Sequence, residues 1–182
     1  FWHVENMTYA NISAADVSKV TDMTGMFGSN FALETVELGE FNTASLMYAE
    51  DMFLDCGELR ALDLSNMKMG KVKSMRRMVA YCSSLQTLNV SGWDTSNVTD
   101  MSEAFAGCRM LEELDVSSFD TARVENFFGA FSGLEFVTAL DVGHFDTSAA
   151  TNMDSMFDGN FSLMTLDVSG FNTAHVQNMN RM

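Results

Sequence analysis

Three cysteines, Cys56, Cys82 and Cys108, stand 26 residues apart. A row of thiols at one spacing raises three chemistries: a thiolate nucleophile, a metal site and a disulfide. No histidine shares the cysteine register, so a zinc site lacks its usual completion. An odd cysteine count excludes a full disulfide framework. Stacking at about 4.8 Å would bring one pair within bridging range. The expectation is buried, reduced thiols. His3, His144 and His175 occupy three different registers, and no Ser-His-Asp set falls in one locality. The sequence therefore nominates no catalytic, cofactor-binding or metal-ligating residue.

Carboxylates recur at the same interval. One column reads Asn11, Glu37, Asp63, Asn89, Asp115, Asp141 and Asp167. Aligned acids repel one another, a cost that cations or a basic partner would offset. Two readings stay open: a solvated polar face, or a partner surface at Glu37, Asp63, Asn89, Asp115, Asp141 and Asp167. A second polar column, Asp16, Asn42, Lys68, Asp94, Asp120, Asp146 and Asn172, usually precedes Thr. Asp or Asn there fits a turn in which the side chain bonds its own downstream backbone.

Half of the ten basic residues fall within "KMGKVKSMRR", which holds Lys68, Lys71, Lys73, Arg76 and Arg77. They form either a docking patch for an acidic partner or half of an ion-pair set with neighbouring repeats. On the second reading Arg77 lies between Asp51 and Glu103, Arg76 follows Glu50, and Lys68 neighbours Asp94. Each such surface pair is worth about 0–1 kcal/mol.

These columns require a scaffold that returns to the same place every 26 residues, and the whole chain supplies it. Units starting at residues 10, 36, 62, 88, 114, 140 and 166 follow one another without insertion or deletion. Their first position reads Ala10, Val36, Leu62, Leu88, Leu114, Leu140 and Leu166. Phe27, Phe53, Phe105, Phe131 and Phe157 share another column, interrupted by Val79. The "LDVS" stretches alternate as a half-buried strand does. In "NVTDMSEAF", Val98, Met101, Ala104 and Phe105 have the spacing of one helical face. Thr95, Ser96 and Asn97 could accept from first-turn amides. The methionines Met23, Met26, Met52, Met75, Met78, Met101, Met153 and Met156 are expected on that helix's inner side, filling irregular space. One such unit cannot bury its apolar face alone, so neighbours must stack.

"LQTLNVS" fits the L-x-x-L-x-L line of leucine-rich repeats. More narrowly, "LDVSGFNTAHVQNM" and "LNVSGWDTSNVTDMSEAFAGC" resemble the BspA-like leucine-rich repeats of bacterial and protist surface proteins, a motif shared with repeats of mycoplasma lipoproteins. The resemblance covers the chain, with a degenerate first unit. It implies an α/β solenoid, a right-handed coil with a parallel sheet on one face and short helices on the other. It also implies an extracellular or cell-surface location, and adhesion or protein binding without enzymatic activity. Leucine-rich repeats use Asn or Cys to bond loop backbone in a stacked ladder; the slot of Cys56, Cys82 and Cys108 holds Asn30, Leu134 and Asn160 in other units.

Composition agrees with a packed protein: 47% of the 182 residues are hydrophobic, too many for a disordered chain. No apolar run approaches the ~20 residues of a membrane-spanning helix, so no membrane insertion is expected. The net charge of −15 argues against nucleic acid, whose phosphates demand clustered Lys and Arg. Five Asn-x-Ser/Thr triplets, at Asn6, Asn11, Asn89, Asn97 and Asn160, arise by chance in so Asn- and Ser-rich a chain. Residues 1–182 read as a single repeat array of seven periods, uncapped and cut from a longer chain. Such a fragment is expected to associate end to end when expressed alone. The expected function is a non-enzymatic module that binds a protein or glycan through its strand face, with no cofactor. The alternative is a structural subunit, held in a larger assembly through its convex side or its uncapped ends.

Overall fold

The computed structural model describes residues 1–182. Residues 26 apart pair in parallel. β1 (Tyr9–Asn11) lies beside β2 (Thr35–Glu37), and β3 (Ala61–Asp63) beside β4 (Thr87–Asn89). Further on, Ala139 bridges Thr165. A second column of single-residue bridges runs through Asp22, Tyr48, Ser74, Asp100, Asn126, Asn152 and Asn178. The repeats are coils stacked in step. Each strand begins one residue before the "LDVS" stretch, with its middle residue turned inward and its flanks exposed.

Two expectations are corrected. The sheet is not continuous: it consists of two separate two-stranded pairs. The short helices do not form at all, so the chain is not an α/β solenoid with a helical face. Where a helix was expected, alternate amides bond the next coil. Met23 N donates to Tyr48 O, Gly25 N to Glu50 O, Phe27 N to Met52 O and Ser29 N to Leu54 O, at 2.6–2.9 Å. The intervening amides close four-residue turns, as Met26 N to Met23 O and Gly28 N to Gly25 O.

Backbone dihedrals explain why no helix can run through this segment. One column, Gly25, Asp51, Arg77, Glu103, Gly129, Ser155 and Arg181, has positive φ in every coil. Four residues on, Ser29, Asp55, Tyr81, Gly107, Gly133 and Gly159 do too. A pair of left-handed residues four apart in each coil is incompatible with a right-handed helix running through it. A nine-residue helix is also marginal by itself, because nucleation costs more than so few bonds return. Bonding the next coil satisfies the same amides without that nucleus. Both arrangements bury the same residues, since Met101, Ala104 and Phe105 are all inside.

The interior is one continuous cluster of 47 buried apolar residues, built from the repeat columns. Phe27 stacks on Phe53 at 5.1 Å, and Phe131 on Phe105 and Phe157 at 5.8 and 6.0 Å. Of the methionines expected inside, seven are buried and Met26 is half-buried. Trp93 donates its Nε1 hydrogen to Leu64 O at 2.9 Å, so its one polar atom is satisfied by the preceding coil.

Candidate functional site

Outward residues of the strand segments frame an open trough of about 840 Å³. Half-buried Val36 and Leu88 form its floor, with buried Leu62 and Leu114 between and beside them. One rail is Thr35, Ala61, Thr87, Glu113 and Ala139; among the other rail's residues are Asp63, Asn89 and Asp115. Glu37 stands in the same acidic column and is exposed. Asp141 and Asp167 line a smaller adjoining depression with Ala139, Leu140, Val142, Thr165 and Leu166. The first rail was overlooked in the sequence. Strand alternation was the available signal, because residues on both sides of each inward position must face out together.

The acidic column has a local task that its spacing did not reveal. Asp63 Oδ1 accepts the Ser65 amide at 3.0 Å, Asp115 the Ser117 amide at 2.9 Å, and Asp167 the Ser169 amide at 2.9 Å. Asn11 and Asn89 do the same for Ser13 and Ser91. These are turns of the kind expected one column along. That other column forms them too, with Asp94 accepting the Ser96 amide and Asp120 the Ala122 amide. The Ser65 hydroxyl and amide hold the Asp63 carboxyl below its ordinary range. Ser117 and Ser169 do so for Asp115 and Asp167. Asn89 separates Asp63 from Asp115 in this column, and at its start Asn11 Nδ2 donates to Glu37 Oε2 at 2.6 Å.

In the basic run the expected ion pairs are partly redrawn. Arg77 grips both oxygens of Asp51, Nε to Oδ1 at 2.9 Å and a terminal nitrogen to Oδ2 at 3.0 Å. It makes no bridge to Glu103, whose Oε1 accepts from Tyr81 Oη at 2.7 Å. Arg76 also reaches Asp51, at 3.8 Å, rather than Glu50. Asp51 is buried and collects both guanidinium groups. Lys68, Lys71 and Lys73 are exposed. Lys68 is not paired with Asp94, whose Oδ1 is engaged by the amide and hydroxyl of Ser96.

Each thiol is a rung between coils. The Sγ hydrogens of Cys56, Cys82 and Cys108 go to the carbonyls of Phe27, Phe53 and Val79, at 3.2, 3.1 and 3.0 Å. Asn30 Nδ2 bonds Phe27 O and Phe1 O from the same slot, and Asn160 Oδ1 accepts the Leu134 amide. All three cysteines are free and fully buried. Burial pushes the Cys108 thiol up to about 12. The neighbouring Cys56 thiol, with burial, pushes Cys82 well above the ordinary thiol range. Cys82 and Cys108 so placed supply no thiolate for attack or metal binding. No His, Cys, Asp or Glu group of three or more is arranged to hold a metal ion.

What this arrangement offers is a surface: a tandem-repeat protein with a face of short, paired strand segments whose side chains are fixed in register. The chain belongs to the family DUF285, described as Mycoplasma protein of unknown function, whose model matches residues 1–109 and again 82–182. No curated protein matches the chain. No solved structure matches it.

Proposed function

We propose that the chain is a non-enzymatic binding module of a surface or secreted protein, and that the trough on its strand face receives a macromolecular partner. The finer likeness of its repeats to BspA-like surface proteins supports the location. The observation that carries the reading is the trough itself. Half-buried Val36 and Leu88 give the floor its apolar surface, while Thr35, Thr87, Asp63, Asn89 and Asp115 give polar rails. An apolar centre with a polar rim is the anatomy of a protein interface. Repeat proteins build such surfaces from rigidly stacked equivalent positions, so little ordering cost remains at binding. The acidic rail selects for a basic partner segment.

The test is adhesion of beads coated with the chain to intact cells and to immobilised matrix proteins. Thr87→Arg and Asn89→Arg place bulk and positive charge in the trough; Glu58→Arg changes an exposed residue outside it. Adhesion lost with the first pair and kept with the third is the expected result. Absence of adhesion to every surface, or equal loss in all three variants, overturns the reading.

A further inference from the structure

Four arginines, Arg76, Arg77, Arg109 and Arg181, are held in ion pairs. The three lysines of the third full coil are not. Lys68, Lys71 and Lys73 are exposed and alternate with buried Met69 and Val72, so they emerge along one edge. In the flanking coils the same columns hold Asn42, Ser45 and Met47 on one side, and Asp94, Asn97 and Thr99 on the other. Asp94 alone among these six opposes the positive charge. Arg123 adds to it, reaching back one coil to place a guanidinium nitrogen 2.7 Å from Asn97 Oδ1. In a chain of net charge −15 this edge is a local reversal of sign.

The matching negative feature stands on the same molecule. Asp115, Asp141 and Asp167 occupy consecutive coils of the strand face, and all three are exposed. Each uses Oδ1 for its own turn, which leaves Oδ2 pointing away from that bond. We propose that the Lys68, Lys71 and Lys73 row of one copy docks on the Asp115, Asp141 and Asp167 column of a second copy, so that the module binds itself. This rests on the strand face being the binding surface and names its basic partner.

The two surfaces are different, so the contact is heterologous. It joins copies head to flank and leaves one free surface of each kind. Ionic strength then acts in two directions. At very low salt the net charges of two copies repel across the whole molecule. Near physiological salt, charges more than about 8 Å apart are screened while the contacting rows are not. At high salt the contact itself weakens. Association is therefore strongest at intermediate ionic strength.

Sedimentation velocity of the chain across protein and salt concentrations tests this. The Lys68→Gln, Lys71→Gln, Lys73→Gln variant removes the positive row. The Asp115→Asn, Asp141→Asn, Asp167→Asn variant removes the negative column, yet keeps a side-chain oxygen for each turn. Each variant alone should associate at least about tenfold more weakly than wild type. Mixed, the two should form a one-to-one complex, because each retains the surface that the other lacks. A wild type that stays monomeric at every salt concentration overturns the proposal. So does association unchanged in either variant, which would place the contact elsewhere, such as the coil ends. Neither result touches the trough reading, which the bead experiment decides with other surfaces as partners.

Discussion

Thr95 Oγ1 donates to the carbonyl of Asp120 and accepts from that residue's own amide, both at 2.8 Å. One buried hydroxyl thus satisfies both backbone groups of a residue in the next coil. Thr43 and Thr147 repeat the pair with Lys68 and Asn172. Thr121 makes the donating half with Asp146. Thr95→Val keeps shape and burial but strands both groups. The expected loss is about 1–3 kcal/mol, read from urea unfolding. Thr121→Val should cost less, since only one bond disappears. Equal losses at the two sites would show that the hydroxyl's double bonding is not the stabilising feature.

The turn carboxylates predict how stability follows acid. Asp63, Asp94, Asp115 and Asp167 are held below the ordinary 3.8 by the hydroxyl and amide of Ser65, Ser96, Ser117 and Ser169. A carboxyl with a lower folded than unfolded value contributes stability that is complete above the unfolded value. That contribution is lost as pH falls through the folded one. Urea midpoints should therefore hold level above about pH 5 and fall below about pH 4. Asp115→Asn retains the turn oxygen and removes the titration, so its midpoint should fall less steeply. A slope identical to wild type would sink this account.

The repeat made much of the architecture legible. An unbroken 26-residue count foretold that Ala10 would lie beside Val36 and Leu62 beside Leu88, as they do. The buried thiol ladder was equally readable, because Asn30 and Asn160 shared its slot. The helix misled for a physical reason. Met101, Ala104 and Phe105 have a spacing that fits a helical face, and the turns bury the same residues. The contrary signal was glycine at the positive-φ places: Gly25 and Gly129 in one column, Gly107, Gly133 and Gly159 in the other. Arg77, Tyr81 and Glu103 fill those places in neighbouring coils and hide the pattern. The acidic column was visible as a column, but its turn bonds to Ser65, Ser117 and Ser169 were not, because the same residue types serve turns and exposed faces alike.

Tyr81 lies against Glu103, with its hydroxyl donating to Oε1 at 2.7 Å. Desolvation, that bond and the glutamate's charge together push the phenol up to about 12 from an ordinary 10.0. Phenolate absorbance followed against pH should contain one late step that Tyr81→Phe abolishes. Glu103→Gln removes the charge and should bring the step toward 10.0, leaving the part due to burial. The sign for stability is opposite to that of the carboxylates. The neutral phenol is favoured in the folded state, so its contribution is complete below 10.0 and is lost as pH rises toward 12. A Tyr81 step unmoved by Glu103→Gln would mean that the glutamate does not face the hydroxyl.

Gly159 separates stacked turns from helix by the sign of one measurement. Its φ is +75°, and an added Cβ would meet nothing nearer than Gly133 Cα at 3.6 Å, an ordinary contact. Space is therefore not the issue; backbone conformation is. In a helix, replacing glycine by alanine stabilises by up to about 1 kcal/mol. In the left-handed region the same change costs about 1–2 kcal/mol. Gly159→Ala should lower the urea midpoint, and far-ultraviolet circular dichroism of both proteins should lack the double minimum of a helix. Gly107→Ala should cost more, because its Cβ would also run into the Tyr81 ring at 2.6 Å. If Gly159→Ala raises the midpoint, that segment is helical and the inter-coil ladder from Phe131 N to Met156 O and from Gly133 N to Asp158 O does not exist in solution.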